Sequence, residues 1–148
     1  DCASGCEYRC VAGPRPDEDA RLVLKIKQER VQVGNGEVMS IIAELPDHSD
    51  RRACKAGGAS GGTTHRLTSR RPKWSARLKT LTMEFKGRCN EASERNFQLT
   101  THPSGDGSHE DVMLSFGLMT SGDFCLDFRG PFGPVQAFAA ALTTVHWH

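Results

Sequence analysis

The run Pro134-Val135-Gln136-Ala137-Phe138-Ala139-Ala140-Ala141-Leu142-Thr143-Thr144-Val145 decides how the rest of the chain is read. Pro134 suits a first helical position, where its missing N–H removes no bond, and the residues after it are rich in good helix formers until the Thr pair. Every side of this helix is apolar or small. A helix with no polar face has to be surrounded, yet at this length it cannot cross a bilayer, which takes about 20 apolar residues. The expectation is a helix enclosed by the preceding segments, with Phe138 and Leu142 buried on different sides. Gln136, the strongly polar group of the helix body, is expected to be a satisfied buried amide.

Upstream, the period changes from helical to alternating. Phe124, Leu126 and Phe128 face away from Cys125, Asp127 and Arg129, and before Ser121-Gly122 the residues Val112, Leu114, Phe116 and Leu118 do the same, which predicts a meander with one apolar face. Leu81, Met83 and Phe85 oppose Thr80, Thr82, Glu84 and Lys86, while Phe97 and Leu99 oppose Asn96, Gln98 and Thr100, giving two more antiparallel candidates. Leu22, Leu24 and Ile26 alternate with Val23, Lys25 and Lys27. Gly34-Asn35-Gly36 then supplies residues that tolerate positive φ before the apolar run from Val38 to Ala43, so a hairpin is expected there. Residues 1–20 read as a tail or linker and 21–148 as the domain, with a flexible Gly-rich insertion at about 51–64. One-sided strands plus an all-apolar helix predict an α+β fold, mainly antiparallel β, in which a barrel or wrapped sheet surrounds the helix.

The 148 residues are 37% hydrophobic and 25% charged, one domain's worth of globular protein. No apolar run approaches a membrane span and no export signal opens the chain, which begins at Asp1 without Met and is expected to be a processed product or an excised piece of an intracellular protein. The net charge of +1 hides an asymmetry: Arg51 to Arg88 holds eleven Lys or Arg against Glu84 alone, a local +10 that leaves −9 for the remainder. Such a block can focus positive potential toward phosphates of lipid or nucleic acid, against the plainer reading of a solvated loop. Of the six cysteines, Cys2, Cys6 and Cys10 recur at intervals of four while Cys54, Cys89 and Cys125 stand singly, which favours reduced thiols over a disulfide framework and does not match zinc-site spacing.

Several blocks together carry a resemblance. Lys73-Trp74-Ser75, Leu81 to Arg88, Ala92-Ser93, Arg95-Asn96-Phe97-Gln98-Leu99, Met113-Leu114-Ser115-Phe116-Gly117, Asp123-Phe124-Cys125-Leu126-Asp127, and Pro131 through Gln136-Ala137-Phe138-Ala139 to Leu142 occur in the order and approximate spacing of the C-terminal half of the tubby domain. The chain resembles a tubby-like protein over about Arg71 to Val145, with a weaker similarity at Met39-Ser40-Ile41-Ile42. The resemblance implies a β-barrel threaded by an apolar C-terminal helix, of which this chain supplies a part. It also implies a non-catalytic adaptor that binds phosphoinositides at a membrane surface, works in trafficking or signalling, and is linked to the cilium and to transcription. It implies a cytoplasmic protein, peripheral at the plasma or ciliary membrane, with a nuclear location as the alternative. Two departures are visible: Phe116-Gly117-Leu118 stands where the family has Phe-Gly-Arg, and Thr143 to His148 replaces its closing segment. The family's own lipid-binding residues lie in its first half and transfer to no position here.

The candidate lipid-binding surface is therefore read from charge alone: Arg66, Arg70, Arg71, Lys73, Arg77 and Lys79. Trp74 among them is either an interfacial anchor or, the favoured reading, a ring packed under the barrel rim. No catalytic residue, cofactor or metal site is expected. The Gly-rich stretch 57–62 lacks a P-loop ending, Cys125 has no His motif beside it, His146 and His148 are incidental at a chain end, and Asp106, Glu110 and Asp111 lack the order of a calcium loop. The expected partners are a phosphoinositide-containing membrane and a protein cargo. The competing class is a nucleic-acid-associated transcription regulator using the 51–88 block, although no groove-entering helix or exposed aromatic platform is expected.

Overall fold

A computed structural model describes residues 5–13, 21–47, 63–101 and 112–146, the last without the side chain of its final residue. The Gly-rich stretch 51–62, the loop with Asp106, Glu110 and Asp111, and the side chains of His146 and His148 lie outside the described residues.

Seven strands form one antiparallel sheet in the order β1 (Cys6–Ala12), β2 (Arg21–Val33), β3 (Gly36–Pro46), β4 (Thr64–Ser69), β7 (Phe97–Thr100), β8 (Val112–Leu118) and β9 (Phe124–Phe128). Between β4 and β7 the chain leaves the sheet to make a separate hairpin of β5 (Lys73–Ser75) and β6 (Thr80–Thr82). The sheet curls as a half-barrel, and α1 (Pro134–Leu142) lies on its inner face, followed by a 3-10 turn at Thr143–His146. The α+β, mainly antiparallel architecture around a C-terminal helix is thus the one the sequence implies.

The inner face follows the period-two rule. Leu24 and Ile26 of β2, Ile41, Ala43 and Leu45 of β3, Leu67 of β4, Phe97 and Leu99 of β7 and Leu114 of β8 form one buried cluster with Ala137 and Ala140 of the helix. Register holds these side chains in rows: Ile26 lies opposite Ala43, Ala43 opposite Leu67, Leu99 opposite Leu114 and Phe97 opposite Phe116. Small residues at 137 and 140 let the helix backbone sit close to the sheet. Polar groups at the helix end are paired. The Gln28 Nε2 donates to the Thr143 carbonyl at 3.0 Å, and Thr143 and Thr144 hydroxyls donate back to the Ala140 and Ala141 carbonyls at 2.8 Å each. The hydroxyl bonds add to the backbone N–H bonds that the Ala140 and Ala141 carbonyls already accept at the cap, so the Thr pair closes the end of α1 while Gln28 ties it to β2.

Three expectations are corrected. The helix is covered on one side only: Val135 (66% exposed), Phe138 (60%), Leu142 (50%) and Val145 (47%) stay open, because the described strands pass beneath α1 and not over it. Its apolar composition announces burial all round, yet the small Ala face is the one that packs. Second, the segment assigned to a tail contains β1, paired along its length with β2 from Cys6 opposite Gln28 to Ala12 opposite Arg21. Cys6, Tyr8 and Cys10 are half-buried while Glu7 and Arg9 are exposed, an alternation that the four-residue cysteine spacing obscures. Third, the strand expected over 80–86 ends at Thr82 and does not pair with β7. It pairs with β5, and β7 instead bridges β4 and β8.

Candidate functional site

The excursion between β4 and β7 holds most of the sequence-predicted basic residues. Lys73, Trp74 and Ser75 face Thr82, Leu81 and Thr80 in register, and residues 76–79 turn between them. An isolated two-stranded hairpin is marginal in water, so this one needs braces. Thr82 Oγ1 donates to the Lys73 carbonyl at 3.1 Å, the Leu78 N–H donates to Ser75 Oγ at 3.3 Å, and Leu81 lies against Gly36 at the β2–β3 turn. A Cβ on Gly36 would come within 3.1 Å of Leu81 Cδ1, so the missing side chain makes room for the hairpin. Lys79 closes the turn at φ 52°, a left-handed conformation where glycine is the usual occupant. The chain keeps a cation there despite the backbone cost.

Apolar side chains stand among the cations. Trp74 is 48% exposed and Leu78 57% exposed, so Trp74 is not packed under a rim as the favoured sequence reading had it. Lys73, Arg77 and Lys79 are exposed and have no ion-pair partner among the described residues. Residues 63–83 contain no carboxylate at all.

The three other arginines of the candidate set are placed differently. Arg70 is half-buried at the hairpin's root, where its N–H donates to the Gln98 carbonyl at 2.9 Å and its Nη1 to Gln98 Oε1 at 3.0 Å. Gln98 in turn donates from Nε2 to the Glu84 carbonyl at 3.3 Å, so a buried amide orients the guanidinium. Arg71 is exposed beside it. Arg66 departs from the group: it sits four residues earlier on β4, directly across from Glu44, on a face already laced by Glu7, Arg9 and Lys25. There the Arg9 and Lys25 cations beside Glu7 hold its carboxyl below the usual range. The structure thus places Arg70, Arg71, Lys73, Arg77 and Lys79 at one hairpin and Arg66 in a mixed-charge setting.

A groove of about 1120 Å³ runs between the hairpin and the β2–β3 tip. Its charges are mixed, Arg30, Arg70 and Arg71 against Glu29, Glu37, Glu91 and Glu94, and Arg30 is bound to Glu37 at 3.3 Å. A phosphate gains little from such a lining, so the positive surface is the hairpin itself and not the groove. A smaller cleft of about 330 Å³ lies beside the open helix face, lined by Phe116, Phe124, Leu126, Phe138 and Leu142 with Arg95 at its rim.

Among the described residues no three His, Cys, Asp or Glu side chains gather as a metal site. Cys6, Cys10, Cys89 and Cys125 are free thiols. Cys89 and Cys125, which stand apart in the sequence, meet on the outer side of β8–β9: Gly117 is opposite Cys125 in register, and Cys89 lies directly over Gly117, within 2.8 Å of where a Cβ would stand. Burial, with a hydrogen bond to Cys125, pushes the Cys89 thiol up to about 12. The Cys89 thiol is neutral and inert at ordinary pH, which marks it as packing and not as a nucleophile. The sequence signal for the contact is Gly117 within a strand pattern, where a glycine marks close approach.

The sequence matches the Tub family over residues 12–146. It is 38% identical to tubby protein homolog 1 of Caenorhabditis briggsae over 80 residues, 54% of this chain and 18% of that protein. Tubby-like F-box protein 11 of Oryza sativa subsp. japonica is 35% identical over 81 residues, 53% of this chain and 20% of the relative. Tubby-related protein 2 of Mus musculus is 36% identical over 78 residues, 53% of this chain and 13% of the relative. The chain therefore spans at most a fifth of the length of these relatives. The match across nearly all of the described sheet and the helix agrees with the half-barrel built on α1, and the chain belongs to the Tub family.

Proposed function

We propose that this chain is a non-catalytic phosphoinositide-binding domain that attaches an adaptor to the anionic cytoplasmic leaflet, at the plasma or ciliary membrane, in the service of trafficking or signalling. The observation that carries this reading is the carboxylate-free stretch 63–83, whose hairpin presents Lys73, Arg77 and Lys79 without ion-pair partners among the described residues, beside Arg70 and Arg71. Each cation brought near an anionic leaflet contributes about 1 kcal/mol, so Lys73, Arg77 and Lys79 together supply a reversible attraction, to which the exposed Arg71 beside them adds. Membership of the Tub family supports the reading as well.

Vesicle co-sedimentation tests it. Phosphatidylcholine vesicles with a few mole per cent of phosphatidylinositol bisphosphate are expected to retain the protein, and plain phosphatidylcholine vesicles are not. Binding is expected to weaken as added salt shortens the Debye length from about 10 Å at 0.1 M. Retention that ignores both headgroup and salt contradicts the reading. Displacement by one particular oligonucleotide at near-physiological salt, but not by its scrambled version, would transfer the surface to nucleic acid.

A further inference from the structure

We propose that hairpin β5–β6 is a membrane wedge: Trp74 and Leu78 enter the interfacial layer of an anionic bilayer while Lys73, Arg77 and Lys79 engage lipid phosphates around them. The inference deepens the lipid-binding reading and rests on it, but it claims more, because charge attraction alone requires no penetration.

The geometry favours insertion over surface attraction. Trp74 and Leu78 are large apolar side chains left open on an element that projects from the sheet, while the buried cluster needs neither of them. Indole prefers the headgroup level, where its ring meets acyl chains and its N–H meets water or ester oxygens. Lys and Arg beside it place alkyl stems against the apolar layer and charge at the phosphates. Trp74 and Leu78 are interleaved in sequence with Lys73, Arg77 and Lys79, and no carboxylate occurs from 63 to 83, a combination complementary to an anionic interface and poorly suited to neutral lipid. Braces from Thr82, Ser75 and Leu81 hold the hairpin shaped before contact, so little ordering has to accompany insertion. A row of base-stacking aromatics is missing from the element. Trp74 is its only aromatic residue, which favours a bilayer over single-stranded nucleic acid.

The chain has two tryptophans, Trp74 and Trp147, so Trp147→Phe leaves Trp74 as the sole reporter. With vesicles of phosphatidylcholine and phosphatidylinositol bisphosphate, Trp74 emission is expected to shift to the blue and to be quenched when the phosphatidylcholine carries brominated acyl chains. Leu78→Ser, at an exposed position that leaves the core untouched, is expected to lower vesicle partitioning about tenfold at fixed salt, with unfolding unchanged. Sedimentation with these vesicles while Trp74 emission stays unshifted and unquenched overturns the wedge and leaves the lipid-binding reading standing. Failure to sediment with them at low salt overturns both. An unchanged partition for Leu78→Ser likewise removes Leu78 from the interface and the wedge with it.

Discussion

Two apolar surfaces of this chain remain open to solvent, and they differ in the company they keep. Along α1 and the turn after it, Phe138, Leu142 and Val145 line a cleft with Phe116, Phe124 and Leu126, and Arg95 is the one charged side chain in its lining. On the β5–β6 hairpin, Trp74 and Leu78 stand among Lys73, Arg77 and Lys79. Exposed apolar area alone marks an interaction site without naming the partner. The neighbouring charge narrows it: apolar groups interleaved with cations suit an anionic interface, whereas the helix face offers an anionic surface almost nothing.

The helix itself carries the sharpest contrast and the largest expected effect. Ala140 is fully buried against the sheet, so Ala140→Asp puts an unpaired charge in the core and is expected to cost about 4 kcal/mol or more. Phe138→Asp, two residues away on the open face, is expected to cost under about 1 kcal/mol. Urea midpoints for the two variants decide it. Equal losses would mean that something covers the Phe138 face in solution.

The outer side of β8–β9 is closed where the inner side is half open, and Gly117 tests that closure. A methyl at 117 meets Cys89 at 2.8 Å, so Gly117→Ala is expected to destabilise by about 1–3 kcal/mol through overpacking. Cys89→Gly in the same chain is expected to recover part of the loss, and an additive double variant would contradict the contact. Gln28→Ala removes the buried donor to the Thr143 carbonyl and is expected to cost about 1–3 kcal/mol, read as a shift of thermal midpoint.

A smaller effect follows from Cys89. Its pKa is raised from 9.0 to about 12, so the folded state keeps the thiol neutral where the unfolded chain ionises it. The stability this provides is complete below pH 9 and is lost as pH climbs toward 12. Denaturation midpoints are expected to fall across that window, and to fall less in Cys89→Ala. The same slope in both proteins would detach it from this thiol.

How much of this could be read from the sequence depends on what kind of rule each feature obeys. Alternation is local, so the strands at 22–33, 38–43, 97–100, 112–118 and 124–128 are legible from side-chain type, and Gly34-Asn35-Gly36 announces its turn, although the third strand runs on to Pro46. The helix is legible from Pro134 and the Ala run. Which of its sides packs is not, because an all-apolar helix has no polar stripe to orient it, and only the approach distance of the sheet selects Ala137 and Ala140 over Phe138. The strand expected through Phe85 fails for a tertiary reason: Phe85 turns toward Gly117, and the Glu84 carbonyl takes the Gln98 amide in place of a ladder partner. The basic block was visible as composition, but its division was not. Only strand register shows Arg66 facing Glu44 while Lys73, Arg77 and Lys79 stand clear with an exposed Trp74.

The central claim is that the hairpin, and not the helix face, meets the membrane, and flotation of two variants with phosphatidylinositol bisphosphate vesicles at fixed salt tests it most directly. Leu78→Ser on the hairpin and Phe138→Ser on the helix each remove one exposed apolar side chain without touching a charge. The account predicts that Leu78→Ser loses about tenfold in partitioning while Phe138→Ser floats like the parent protein. Loss confined to Phe138→Ser would contradict it.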